Sequence, residues 1–155
     1  MIIENDESGI ISSLPVIGLS HSLGGKLTSL FSSIDDVNQQ GKCRKANIFL
    51  GFNNFGFGQS SVLSSPAPQS KEFVPSPNET WQVIRQGYSN RILSSALVKF
   101  ADDTIDQSVE LKGCLEGTSH TIHVLAGDHL QPNKLIMDEN FLQRLNLIVK
   151  ELLTS

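Results

Sequence analysis

Residues 14–19 (LPVIGL) form a short, almost wholly apolar run that leads straight into Ser20-His21-Ser22-Leu23-Gly24-Gly25. Beyond it, Leu27, Leu30, Phe31 and Ile34 are spaced as on one face of a helix. An unbroken apolar run of this length reads as a buried parallel strand. A strand that must become a helix within a few small residues needs a sharp turn between them. That turn limits the folds open to the chain.

The rest of the sequence repeats the alternation. Residues 35–45 are a polar loop around Gly41, and 46–52 (ANIFLGF) read as a second buried strand stopped by Asn53-Asn54. Residues 56–77 carry Gly56, Gly58, Pro66, Pro68, Pro75 and Pro77 among many serines, an irregular, lid-like stretch. A helix is expected over 78–88, capped by Asn78, with Trp81, Ile84 and Tyr88 on one face. Residues 91–100 (RILSSALVKF) form a third strand, 107–115 a short helix, and 120–126 (HTIHVLA) a fourth strand. The last helix starts near Asp138 with a stripe of Phe141, Leu142, Leu145, Ile148, Val149 and Leu152. Strands alternating with helices imply an α/β fold, a mostly parallel sheet flanked by helices, in a single domain over 1–155.

Bulk properties exclude several function classes. With 39% hydrophobic and 18% charged residues, the chain has globular rather than disordered composition. A net charge of -4 with scattered Lys and Arg argues against a nucleic-acid partner. No apolar run approaches the roughly 20 residues of a membrane span. The acidic start MIIENDES resembles neither a secretory signal nor a transit peptide. Cys43 and Cys114 are far apart and show no metal spacing, so both read as reduced thiols in a soluble intracellular protein. No metal or organic cofactor is implied.

Three residue types fall in an order that carries chemistry. A nucleophilic serine on a strand-to-helix turn needs small residues two before and two after it, because the strained backbone leaves no room for bulk. Ser20 and Gly24 flank Ser22 in that way, with Ser20 where glycine is usual. Ser20 has Ser22 rather than glycine two after it and is the poorer nucleophile. The Leu23 N–H, at the helix start, would face a developing oxyanion. Asp102, Asp103 and Asp106 follow the third strand, where a carboxylate would orient a histidine. Asp103 is favoured, and Asp102 stays open beside it, since adjacent aspartates also cap helices. His129, in the loop after the fourth strand, completes the order Ser…Asp…His. His120 and His123 lie in that strand and read as structural. His21 adjoins Ser22, but neighbours on a turn point apart.

The segments SHSLGGKL, NIFLGFNNFGFG, LVKFADDTIDQ and GDHLQPN, in that order, resemble the plant and cyanobacterial domain of unknown function 1350, a family of the α/β-hydrolase superfamily. The resemblance covers roughly residues 14 to 132. It implies a Ser–Asp–His site at Ser22, Asp103 and His129, and in plants often a chloroplast location. Members carry strands and an oxyanion-side loop upstream of the serine turn. The chain is therefore expected to be the C-terminal half of an α/β-hydrolase fold, weakly active, with an exposed sheet edge open to self-association.

The resulting expectation is a serine hydrolase acting on a small-molecule ester or thioester through Ser22, Asp103 and His129. The alternative is a non-catalytic binding or scaffold protein that keeps the same fold.

Overall fold

The computed structural model describes residues 15–34, 44–55, 74–88, 92, 94–135 and 138–154. In chain order they form β1 (Val16–His21), α1 (Leu23–Ser33), β2 (Arg44–Leu50), α2 (Pro77–Gly87), β3 (Ser94–Phe100), α3 (Ser108–Lys112), β4 (Ser119–Leu125), α4 (Gln131–Leu135) and α5 (Glu139–Thr154). The expected lid-like segment lies outside the described residues over 56–73, and Cys43 lies outside them too. Pro77 belongs to α2 rather than to that segment.

The four strands make one sheet in the order β1-β2-β3-β4, and every pairing is parallel. Its shared register brings the C-terminal ends of all four strands to one edge. His21 pairs with Leu50, Leu50 with Val98, and Phe100 with Leu125. In an open parallel sheet this carboxyl edge is where ligand sites form.

Alternation along β2 and β3 divides the core into two layers. Ala46, Ile48 and Leu50 of β2 and Ala96, Val98 and Phe100 of β3 face α5, where they meet Phe141, Ile148 and Leu152. Phe49 and Leu97 point the other way, against Ile84, Tyr88, Leu111 and Leu115 from α2, α3 and their connections. Full burial of one such side chain stabilises the fold by about 1.5–3 kcal/mol. Two covered faces explain why β2 and β3 read as continuous apolar runs. These layers and the parallel sheet make the chain an α/β fold, with helices packed on both faces of the sheet.

Several element boundaries differ from the sequence expectation for identifiable reasons. β1 runs past residue 19 because Ser20 and His21 still pair with Phe49 and Leu50. β2 stops at Leu50 because Gly51 turns the backbone to φ 50°. The cap of α2 is Ser76, not Asn78. Ser76 Oγ accepts from Glu79 N, Glu79 Oε2 accepts from Ser76 N, and Pro77 occupies the first turn. On α5, Leu142 is exposed and drops out of the apolar stripe. No helix among the described residues is long and apolar enough to cross a membrane.

A polar network runs through the α1–α2 layer. Asn47 Nδ2 donates to Ser32 Oγ (3.0 Å) and to Tyr88 Oη (2.8 Å), and Tyr88 Oη lies 2.8 Å from Ser95 Oγ. Burial pushes the Tyr88 hydroxyl up to about 12, so it stays protonated. One chain of hydrogen bonds thereby ties α1, β2, the end of α2 and β3.

Helix α2 packs close against the end of α1 at Gly87, where an added Cβ would collide with the Ser33 carbonyl oxygen. Gly87→Ala should therefore push the helices apart and destabilise by about 1–3 kcal/mol. For a chain of this size each kcal/mol lowers Tm by roughly 2–4 °C. Gly113→Ala is the control, because its Cβ would meet only Glu110 O at 3.4 Å. Thermal melts of both variants should show a loss for Gly87→Ala only.

Candidate active site

The turn after β1 is the starting point. Ser22 has φ 56° and ψ -130°, the only positive φ at a non-glycine among the described residues. Its N–H donates to Leu50 O (3.0 Å), and its carbonyl accepts from Gly25 N (2.9 Å). The turn is thus tied to the end of β2 on one side and to the first turn of α1 on the other. Gly24 leaves room beside Ser20, whose Cβ would lie 4.0 Å from a Cβ at position 24. A Cβ at Gly25 would come within 2.6 Å of the Phe52 ring, so only glycine lets α1 seat this close to the sheet. Ser20 Oγ is turned away, toward Ile48 O at 3.4 Å.

The loops after β3 and β4 complete the arrangement. Ala101 N donates to Leu125 O (2.8 Å) and Asp102 N to Gly127 O (2.9 Å), locking these two loops together. The turn into His129 passes through Gly127 at φ 119°. Asp128 then caps it, accepting from Leu130 N (2.9 Å) and pairing with Lys134 (2.7 Å).

Ser22 Oγ lies 2.7 Å from His129 Nε2, and His129 Nδ1 lies 2.7 Å from Asp103 Oδ2. The proton positions follow from the partners. A carboxylate only accepts, so Nδ1 carries the hydrogen, Nε2 is the acceptor, and Ser22 Oγ–H donates to it. The Asp103 side chain is fully buried, and its second oxygen, Oδ1, accepts from Ile105 N (3.0 Å). The carboxylate is therefore held from both sides. Gly51 sits against this pair, since a Cβ there would lie 2.9 Å from Asp103 Oδ2.

The other sequence candidates have different roles. Asp102 is exposed and serves the loop through its backbone. Asp106 accepts from Ser108 N and Oγ at the start of α3 and lies 3.8 Å from Lys99. Burial raises the Asp106 carboxyl pKa. His120 contacts Thr118 O, and His123 contacts Thr121 and Glu151. Cys114 is a buried free thiol whose pKa burial raises. Leu23 is the first residue of α1, where helix geometry leaves N–H groups without intrahelical acceptors. Among the described residues no group of three or more His, Cys, Asp or Glu side chains is placed to hold a metal.

Two contacts were not legible as functional from the sequence. Asn53, seen there only as a strand stopper, donates from Nδ2 to Ser22 Oγ at 2.9 Å. His21 Nε2–H donates to the His129 carbonyl (2.8 Å), and the two rings lie 4.9 Å apart. It braces the histidine loop from the β1 side.

Burial, the largest effect on His21, lowers its pKa below the ordinary 6.5. The hydrogen bond to His129 O and the charge of Asp103 act the other way, and the His129 ring adds to the lowering. The sign follows from linkage. The unfolded chain takes up this proton first as pH falls through about 6.5, so stability is lost on the acid side. His21→Gln keeps a donor for His129 O without titrating. Its Tm should trail the parent protein above pH 7 and close the gap toward pH 5. A gap independent of pH would show that His21 does not titrate out of the fold.

The chain resembles several solved hydrolases at low identity. The thioesterase domain from the curacin biosynthetic pathway is 10% identical, with 79% of this chain and 63% of that one aligned at a TM-score of 0.46. The acetyl ester-xyloside bifunctional hydrolase from Caldicellulosiruptor lactoaceticus is 20% identical, with 83% and 53% aligned and a TM-score of 0.47. Esterase B from Lactobacillus rhamnosis is 12% identical, with 88% and 54% aligned and a TM-score of 0.45. The chain thus spans less than two thirds of the length of each. No curated protein matches the sequence. One family profile, described as protein of unknown function (DUF1350), matches residues 2–145, nearly the whole chain, and the protein belongs to that family.

Proposed function

We propose that the chain is a serine hydrolase of the ester or thioester type, with Ser22 as nucleophile, His129 as general base and Asp103 as the orienting acid. The observation that carries this reading is the unbroken hydrogen-bond chain from Ser22 Oγ through His129 to Asp103, built on a serine at positive φ. A structural serine has no need of a strained turn and a histidine acceptor. Strain of this kind costs of order 1–3 kcal/mol and collects at functional sites.

In the proposed reaction Ser22 Oγ attacks the acyl carbon while His129 Nε2 takes its proton. Asp103 holds the Nδ1–H tautomer and stabilises the imidazolium. The tetrahedral intermediate puts its negative oxygen near the Leu23 N–H. Collapse expels the alcohol or thiol, which leaves with the proton from His129. Water then attacks the acyl-serine by the same route in reverse.

A fluorophosphonate probe separates this reading from a non-catalytic scaffold, since only an activated serine reacts. The parent protein should label and hydrolyse p-nitrophenyl butyrate. Ser22→Ala should lose both, and Ser20→Ala should keep both. Asp103→Asn should cut turnover by on the order of 10⁴ through the wrong histidine tautomer. Asp102→Asn and Asp106→Asn should keep most of the rate. An unlabelled parent protein would favour the scaffold.

The same reading includes self-association. Among the described residues β1 pairs on one side only, with β2. Leu19, Leu27, Phe31 and Ile34 are all about half exposed beside it. An open strand edge next to an apolar patch is a surface for a second copy. Light scattering after size exclusion should find the parent protein larger than a monomer. Leu27→Glu with Phe31→Lys should return it to a monomer, and a monomeric parent would overturn this part of the proposal.

A further inference from the structure

Asn53 is 4% exposed and follows the turn at Gly51. Its Nδ2 lies 2.9 Å from Ser22 Oγ. The one proton on Ser22 Oγ goes to His129 Nε2, so whatever else touches Oγ must donate. The amide nitrogen does so. It also lies 3.5 Å from His129 Nε2, a distance at which that contact is weak.

The backbone around Asn53 is clamped on both sides. Phe52 O accepts from Gln107 N (2.7 Å), and Asn54 N donates to Gln107 Oε1 (2.6 Å). Asn54 Nδ2 also donates to Pro77 O at the start of α2 (2.8 Å). One glutamine before α3 therefore brackets Asn53 in sequence. Holding a polar group this firmly beside a reactive oxygen is preorganisation, which stabilises developing charge without reorganisation at the moment of reaction.

We propose, resting on the serine-hydrolase reading above, that the Asn53 side-chain amide is a second oxyanion donor alongside the Leu23 N–H. In the resting site the amide donates to a lone pair of Oγ. On attack that oxygen shares an electron pair with the acyl carbon, and a carbonyl π pair moves onto the former carbonyl oxygen. The new oxyanion stands two bonds from Oγ, within reach of the same N–H. The amide hydrogen bond then passes from a weakened acceptor to a full negative charge. The donor thus comes from the loop after β2, beside the Leu23 N–H at the start of α1.

The test compares Asn53→Leu and Asn53→Asp with the parent protein, using p-nitrophenyl butyrate kinetics, fluorophosphonate labelling and thermal melts. A lost oxyanion donor lowers kcat by on the order of 10²–10³ while KM stays within about twofold. Folded variants with kcat within about threefold of the parent overturn the assignment. So does a loss that falls on KM instead. A second readout in the parent protein is independent of whether the variants fold. The ¹⁵N-labelled Asn53 amide is followed by NMR as a trifluoromethyl ketone forms its tetrahedral adduct on Ser22. A marked downfield move of one Nδ2 proton is expected, and an unmoved resonance overturns the proposal. Failure of the hydrolase reading looks different: the parent neither labels nor turns over, and the role of Asn53 falls with it.

Discussion

The constraint on which the site depends is the backbone of Ser22. A serine held at φ 56° stores strain, and that strain persists only where the surroundings over-determine it. Here the Leu50 carbonyl takes the Ser22 N–H, and α1 seats against Phe52 through Gly25. The α1–α2 contact at Gly87 and the Asn47–Tyr88–Ser95 hydrogen bonds hold the far end of α1. The turn that exposes Ser22 Oγ is therefore maintained by packing about three turns of helix away.

The parallel sheet does the rest of the positioning. Because β1, β2, β3 and β4 run in register to one edge, four separate loops emerge side by side. They carry Ser22, Asn53, Asp103 and His129 in that order. The buried apolar layers on both faces hold β2 and β3 rigidly, so the loops start from fixed points. Hydrogen bonds between the β3 and β4 loops then fix the Asp103–His129 pair relative to the sheet. Gly51 shows how tightly this is packed, since a side chain there would press directly on that pair.

Strand and helix alternation was legible because period and composition speak for whole segments. The four strands and the main helices fall within a few residues of where the pattern puts them. The misses come from local chemistry with a weaker sequence signal. Ser76-Pro77-Asn78-Glu79 contains both the capping-box spacing and a first-turn proline, but Asn78 drew the cap because it too is a capping residue type. Leu142 matched helical spacing yet sits at the margin of the buried stripe. Ser22, Asp103 and His129 could be singled out because chain order and flanking small residues constrain them. Asn53 could not, because an asparagine ending a strand is common, and its aim toward Ser22 Oγ depends on a glycine turn and on Gln107, 54 positions further along.

The three aspartates after β3 show why geometry rather than residue type separates roles. All three stand in a stretch rich in turns, where an aspartate can as readily cap a helix as orient a histidine. Asp106 is committed to Ser108, with both carboxylate oxygens engaged at the helix start. Asp102 faces solvent and contributes its backbone to the β4 loop. Asp103 alone turns inward, with one oxygen on Ile105 N and the other on His129 Nδ1. A buried carboxylate with a single backbone donor would be poorly compensated, and the imidazole N–H supplies the second. The histidine is likewise constrained: with Nδ1–H given to Asp103, Nε2 must accept. The nearest hydroxyl able to donate to it is the one that the strained turn presents.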